Sequence, residues 1–174
     1  MQKRTFLTTL AATAATLPLA ACGFRLRGAP EFGFGSLYVQ AAPGSAFARE
    51  LRRTLQGAGG NLTLMTEPAQ LTQAEAIVDI LSERQERVVV GQNASGQVRE
   101  LQLRLRVHFR LRGQQGQQWI PDTELLQQRD ISYNETIALS KEGEEAMLYK
   151  NMQTDLVQQL IRRLAAAKTG TVPL

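Results

Sequence analysis

The sequence predicts an α+β two-layer sandwich, with two helices packed on one face of a mostly antiparallel four-stranded sheet in the order β-α-β-β-β-α. Three patterns carry that expectation. Residues 101–112, LQLRLRVHFRLR, alternate strictly between apolar and polar side chains, the period of a strand with one buried face. Residues 140–168 carry apolar residues at helical spacing, and residues 45–60 do the same over a shorter span. Two amphipathic helices and several strands without a regular β-α alternation favour a sheet covered on one side.

The elements follow in order. SLYVQ at 36–40 is β-branched and aromatic in character and reads as a short strand. In SAFARELRRTLQGAGG, Ser45 can cap a helix whose Phe47, Leu51 and Leu55 share one face, and Gly57, Gly59 and Gly60 end it. Arg49, Arg52 and Arg53 on that helix are most simply a solvated face. Residues 74–91 are apolar at both ends and charged between, and NASG at 93–96 is a turn. In the next strand Leu101, Leu103, Leu105, Val107, Phe109 and Leu111 point one way, and Gln102, Arg104, Arg106, His108, Arg110 and Arg112 the other. GQQG at 113–116 turns the chain into a returning strand at 118–134, where Pro121 argues for an edge or a bulge. The last helix has Ser140 as its expected cap, with Glu142, Glu144 and Glu145 near its positive end and Arg162, Arg163 and Lys168 near its negative end. Leu148, Met152, Leu156 and Leu160 form its apolar stripe, widened by Val157, Ile161 and Leu164.

The first residues follow a different logic. Lys3 and Arg4 precede an uncharged stretch from Phe6 to Ala21, the layout of a secretory signal peptide. The stretch is rich in Ala and Thr and too short for a comfortable membrane span, which needs about 20 predominantly apolar residues. It ends Leu19-Ala20-Ala21-Cys22, with the only cysteine of the chain. That tetrapeptide resembles the bacterial lipobox, in which the thiol takes a diacylglycerol and the cysteine becomes the first residue after cleavage. A buried small hydrophobe is the plainer reading of a lone cysteine, but an odd cysteine in a secreted chain calls for a specific reason. A catalytic thiol would need His108, the single histidine, as its partner. Gly23 follows the cysteine; in the sorting rule this resembles, the absence of Asp there implies onward transport to the outer membrane.

The expected organisation is therefore a removed signal peptide at 1–21, a lipidated Cys22 with a Gly-rich tether at 22–35, and one domain at 36–174. The formal charge is +4, and without Lys3 and Arg4 it is +2, so the charge balance gives no reason to expect nucleic acid as a partner. With one cysteine an internal disulfide is impossible, and the core must be held by packing, for which a hydrophobic content of 43% is adequate. The sequence lacks a Gly-Xaa-Ser-Xaa-Gly elbow, a His-Glu-Xaa-Xaa-His motif and any His pair. Catalysis is not expected, and neither is a cofactor or metal beyond the lipid on Cys22.

The lipobox followed by CGFRLRG, the two long strands joined by a short turn, and YNETIALSKEGEEAMLYKNMQTDLVQQLIRRL at 133–164 resemble the LptE family of lipopolysaccharide-assembly lipoproteins. The resemblance implies an outer-membrane lipoprotein that plugs the LptD β-barrel translocon one-to-one, helps it assemble, and binds lipopolysaccharide on its way to the cell surface. It also implies a lipopolysaccharide contact at Lys141, which stands in ALSK just before the last helix. The family's basic residue between the second and third strands has no obvious match, since Gln92-Asn93-Ala94 occupy that region.

Beside that stands a reading from the residues themselves. Arg104, Arg106, Arg110 and Arg112 on one strand face form a basic ladder suited to the phosphates and carboxylates of lipopolysaccharide, because a guanidinium gives two parallel hydrogen bonds. The same arginines can equally be the outward face of a half-exposed strand, paired with Glu or Asp across the sheet. His108 in that row reads as an exposed spacer. The alternative function is an envelope lipoprotein that binds peptidoglycan or another envelope protein without lipopolysaccharide.

Overall fold

The computed structural model describes residues 30–133 and 138–167. Among these residues the chain forms β1 (Ser36–Gln40), α1 (Ala46–Gly57), β2 (Thr63–Met65), a 3-10 turn (Pro68–Gln73), β3 (Ala76–Gln92), β4 (Val98–Gly113), β5 (Gln118–Ser132) and α2 (Ala138–Ala165). The strands make one sheet in the order β2-β1-β3-β4-β5. The sheet has five strands where the sequence predicts four. β1 pairs in parallel with both β2 and β3, while β3–β4 and β4–β5 are antiparallel. Antiparallel pairing still dominates, because β1 meets β3 only from Leu37↔Ala76 to Gln40↔Asp79, whereas β3 and β4 run together from Ala76↔Gly113 to Gln92↔Val98. The added strand is three residues long. It exists because the α1 crossover returns the chain to the free side of β1, where its backbone groups find partners.

The expected local signals operate at several positions. The Ser45 hydroxyl accepts from the Ala48 amide at 3.0 Å and caps α1. Gly59 and Gly60 take positive φ values of 66° and 97° where the chain leaves the helix. The Asn93 side chain accepts from the Ser95 and Gln97 amides, closing the β3–β4 hairpin with Gly96 at a φ of 78°. Pro121 lies on the edge strand β5, opposite a register shift in β4 between Phe109 and Leu111. One expectation is corrected: α2 begins at Ala138, so Ser140 lies inside its first turn and does not cap it, and Glu142 opens the second turn. Ala138 and Leu139 are strong helix formers and carry the helix past the expected cap.

The alternation in β4 is realised over its whole length. Leu101, Leu103, Leu105, Val107, Phe109 and Leu111 are buried in one cluster with Phe47, Leu51 and Leu55 of α1 and Met152, Leu156, Leu160 and Leu164 of α2. Burying each such side chain contributes about 1.5–3 kcal/mol. The cluster extends before residue 36 into the expected tether. Phe32 and Phe34 are buried, and Phe34 stacks on Trp119 of β5 with ring centroids 5.9 Å apart. Among the described residues no helix is long and apolar enough to cross a membrane.

Candidate functional site

Both helices cover the same side of the sheet, so the side chains that alternate with the core are left on a bare polar face. β4 supplies Gln102, Arg104, Arg106, His108, Arg110 and Arg112, each part-exposed. Their neighbours on β3 and β5 are mostly acids or amides. Arg106 reaches Glu124 of β5 at 2.9 Å and Glu86 of β3 at 3.3 Å. The hydrogen bonds to Glu124 and then Glu86 raise the Arg106 pKa above its already high ordinary value, so this guanidinium is a fixed charge. His108 lies between Asp122 and Glu124, at 3.1 and 3.2 Å from its two ring nitrogens; it is a paired member of the row and not the spacer that its position in the sequence suggests. Arg84, Glu86, Arg106, His108, Asp122 and Glu124 line a shallow groove of about 490 Å³ on this face.

At the end of β4 the pairing converges on one carboxylate. Arg110 Nε donates to Asp79 Oδ2 at 2.6 Å and Arg112 Nε to the same oxygen at 2.9 Å, while Arg112 Nη2 also donates to Gln40. Asp79 is only 4% exposed. Its burial is possible because two cations satisfy it. Arg104 differs from its neighbours: its Nε donates to the neutral Gln102 side chain at 2.7 Å. The ladder expected from period two is thus present as a row, with Arg106, Arg110 and Arg112 held by acids across the sheet and Arg104 by an amide.

A second cluster joins α2 to β3 on the helix side. Glu145 is 6% exposed and its Oε1 accepts from Arg87 Nη2 at 2.5 Å. The hydrogen bond to Glu145 raises the Arg87 pKa. One turn further along, the Tyr149 hydroxyl donates to the Glu86 carbonyl at 2.7 Å. Burial, reinforced by the Glu145 charge, pushes the Tyr149 phenol above its ordinary pKa. Neither contact was expected from the sequence. Arg87 and Glu145 are 58 positions apart, and the only hint was a Glu on the apolar side of the last helix.

Lys141 lies in the first turn of α2, four residues before Glu145; its side chain is outside the described residues, as is the whole of Cys22. Among the described residues no group of His, Cys, Asp and Glu has the arrangement of a metal site.

A two-layer α+β domain with this sheet and helix arrangement is a fold shared with bacterial lipoproteins. The solution structure of uncharacterized lipoprotein B from Nitrosomonas europaea is similar at 30% identity and a TM-score of 0.70, covering 83% of this chain and 91% of that one. A minor lipoprotein from Acinetobacter baumannii, at 19% identity and TM-score 0.62, covers 78% of this chain and 93% of that one. Rare lipoprotein B from Shewanella oneidensis, at 17% identity and TM-score 0.62, covers 75% and 94%; at these identities the last two show the fold alone. Within that class the match is specific: the family model LptE: Lipopolysaccharide-assembly covers residues 34–164, and the chain belongs to this family. Comparison with curated proteins finds no match.

Proposed function

We propose that this chain is an outer-membrane lipoprotein, anchored through lipid on Cys22, that seats one-to-one as a plug in the LptD barrel, assists the barrel's assembly and binds lipopolysaccharide in transit. Family membership over residues 34–164 carries the reading. It is a binding and assembly role, with the lipid on Cys22 as the only attached group. The open sheet face is chemically suited to a wet barrel lumen. Its charges are mostly neutralised within the sheet, so it can meet water and polar side chains without leaving bare ions.

Lipopolysaccharide contact is assigned to Lys141, which stands in the first turn of α2. On the opposite face of the sheet, Arg104 is the member of the row freest to take a phosphate, because its guanidinium gives up only an amide partner. Arg106, Arg110 and Arg112 must loosen an existing carboxylate contact before taking a phosphate, and so contribute less each. The test is binding of purified lipopolysaccharide by the mature chain, with circular dichroism as the folding control. Lys141→Glu should weaken binding by about tenfold, the scale of one charge-assisted contact. Arg104→Gln should weaken it less, and both effects should shrink at high salt. Unchanged binding by Lys141→Glu would remove Lys141 from the contact.

A further inference from the structure

We propose that the free edge of β5 docks an extended segment of a partner protein, with Lys or Arg at alternate positions, which joins the sheet as a sixth strand. β5 stands last in the strand order, so one side of its backbone has no strand beside it. Such an edge is a row of N–H and C=O groups that another chain can pair with, and most edges are blunted by lysine, proline or a bulge. β5 carries no lysine, and its one proline, Pro121, stands near its start. From Phe109↔Thr123 to Glu100↔Ser132 its register runs without a shift, which leaves an unbroken edge of about 33 Å. Only Leu125 and Ile131 of the strand are buried. The other open edges differ. β2 is three residues long. The part of β3 that extends past β1 is broken by register shifts between Ile80 and Ser82 and between Val89 and Gln92.

Charge identifies the kind of strand that fits. The exposed face of the sheet alternates in sign from one strand to the next. β4 contributes Arg104, Arg106, His108, Arg110 and Arg112, and β5 answers on the same face with Asp122, Glu124 and Asp130. The cation of β5, Arg129, is committed to Asp155 of α2 on the helix side. Asp122 is 62% exposed along its side chain, and Asp130 meets the Gln102 amide at 2.8 Å in place of a cation. Opposite charges across neighbouring strands stabilise a sheet and like charges oppose it. The next strand outward is therefore a basic one. A second copy pairing β5 to β5 would lay one acidic row beside another. Leu126, 39% exposed on the same face, adds an apolar contact for the incoming strand. This surface is separate from the lipopolysaccharide contact of the proposed function and does not depend on it.

The experiment uses the full mature chain in detergent and a synthetic peptide of about nine alternating threonines and lysines, long enough to span most of the edge. Amide hydrogen exchange resolved by NMR is the readout. In an edge strand alternate amides point outward and exchange fast. With the peptide at about ten times its Kd, those of β5 should slow about tenfold, while amides of β2 stay unchanged. Two control peptides separate backbone pairing from charge. One is N-methylated at alternate residues, which blocks strand pairing; the other has Glu in place of Lys. Neither should protect β5, and equal protection by either overturns the proposal. Asp122→Asn combined with Asp130→Asn should weaken the lysine peptide by about three- to tenfold, the scale of two exposed ion pairs. Circular dichroism checks the fold of that variant, and unchanged affinity overturns the proposal. So does a free chain that sediments as a dimer with its β5 amides already protected, because the edge would then belong to a second copy.

Discussion

Removing the Asp79 carboxylate should loosen the sheet at the point where β1, β3 and β4 meet. Asp79→Ala abolishes the two short contacts from Arg110 and Arg112, at 2.6 and 2.9 Å. A hydrogen bond to a charged group contributes about 1.5–3 kcal/mol, but the two arginines are 39% and 23% exposed along their side chains and recover water when the acid is lost. Discounted for that hydration, the expected loss is about 2–3 kcal/mol, short of the ~3–5 kcal/mol of a fully buried broken pair. Asp79→Asn keeps the size and one acceptor oxygen and should lose about 1 kcal/mol. Urea unfolding followed by circular dichroism reads the effect as a lower midpoint at constant slope. A double-mutant cycle with Arg110→Ala should give a coupling of about 1 kcal/mol or more, since the partners touch. An Asp79→Ala variant within about 0.5 kcal/mol of the parent would refute the reasoning. It would mean that the arginines are solvated as well in water as on Asp79.

Leu156→Ala should cost about 2–5 kcal/mol in the same assay, because Leu156 is fully buried between the helix and the sheet and its removal leaves a cavity. Ser45→Ala should cost about 1 kcal/mol through loss of the α1 cap, with a further small loss from the Ser45–Glu83 hydrogen bond. Tyr149 gives a pH prediction. Its folded pKa lies above that of the unfolded chain, so the folded state holds its proton more tightly. The stability it contributes is complete below about pH 10 and is lost as pH rises through the folded value. Thermal melts from pH 8 to 11 should therefore fall more steeply for the parent than for Tyr149→Phe, and parallel curves would contradict the assignment. For Cys22, intact mass of the membrane-extracted protein should show a lipid-modified cysteine at the new N-terminus, and a free Cys22 thiol would refute lipidation.

The strands and helices most legible in the sequence are those with two chemically different faces. β4 and α2 announce themselves because their apolar residues recur at a single period and all meet the same core. β3 was harder to read: its first five residues are all buried, a register shift follows between Ile80 and Ser82, and charged residues fill its middle at 83–87. The shift breaks the alternation that would have shown which face each residue takes. β2 carries no pattern at all, since three residues paired to β1 owe their conformation to a distant strand. The Gly-rich stretch before β1 disguised Phe32 and Phe34 as part of a tether, although two aromatics spaced two apart are the mark of a buried strand-like segment. The arginine row was visible as a row, but its partners were not. Whether Arg106 meets Glu124 depends on the register of β4 and β5, which no local signal fixes. Asp79 inside AIVDI, like Glu145 on the apolar side of the last helix, was a sequence hint of a buried charge seeking cations.

The central claim is association with the translocon barrel, and affinity purification from detergent-solubilised outer membranes tests it most directly. The tagged native chain should bring down the LptD barrel, and native mass spectrometry of the product should give one copy of each. Recovery of the chain by itself, in every detergent that keeps the barrel folded, would contradict the account.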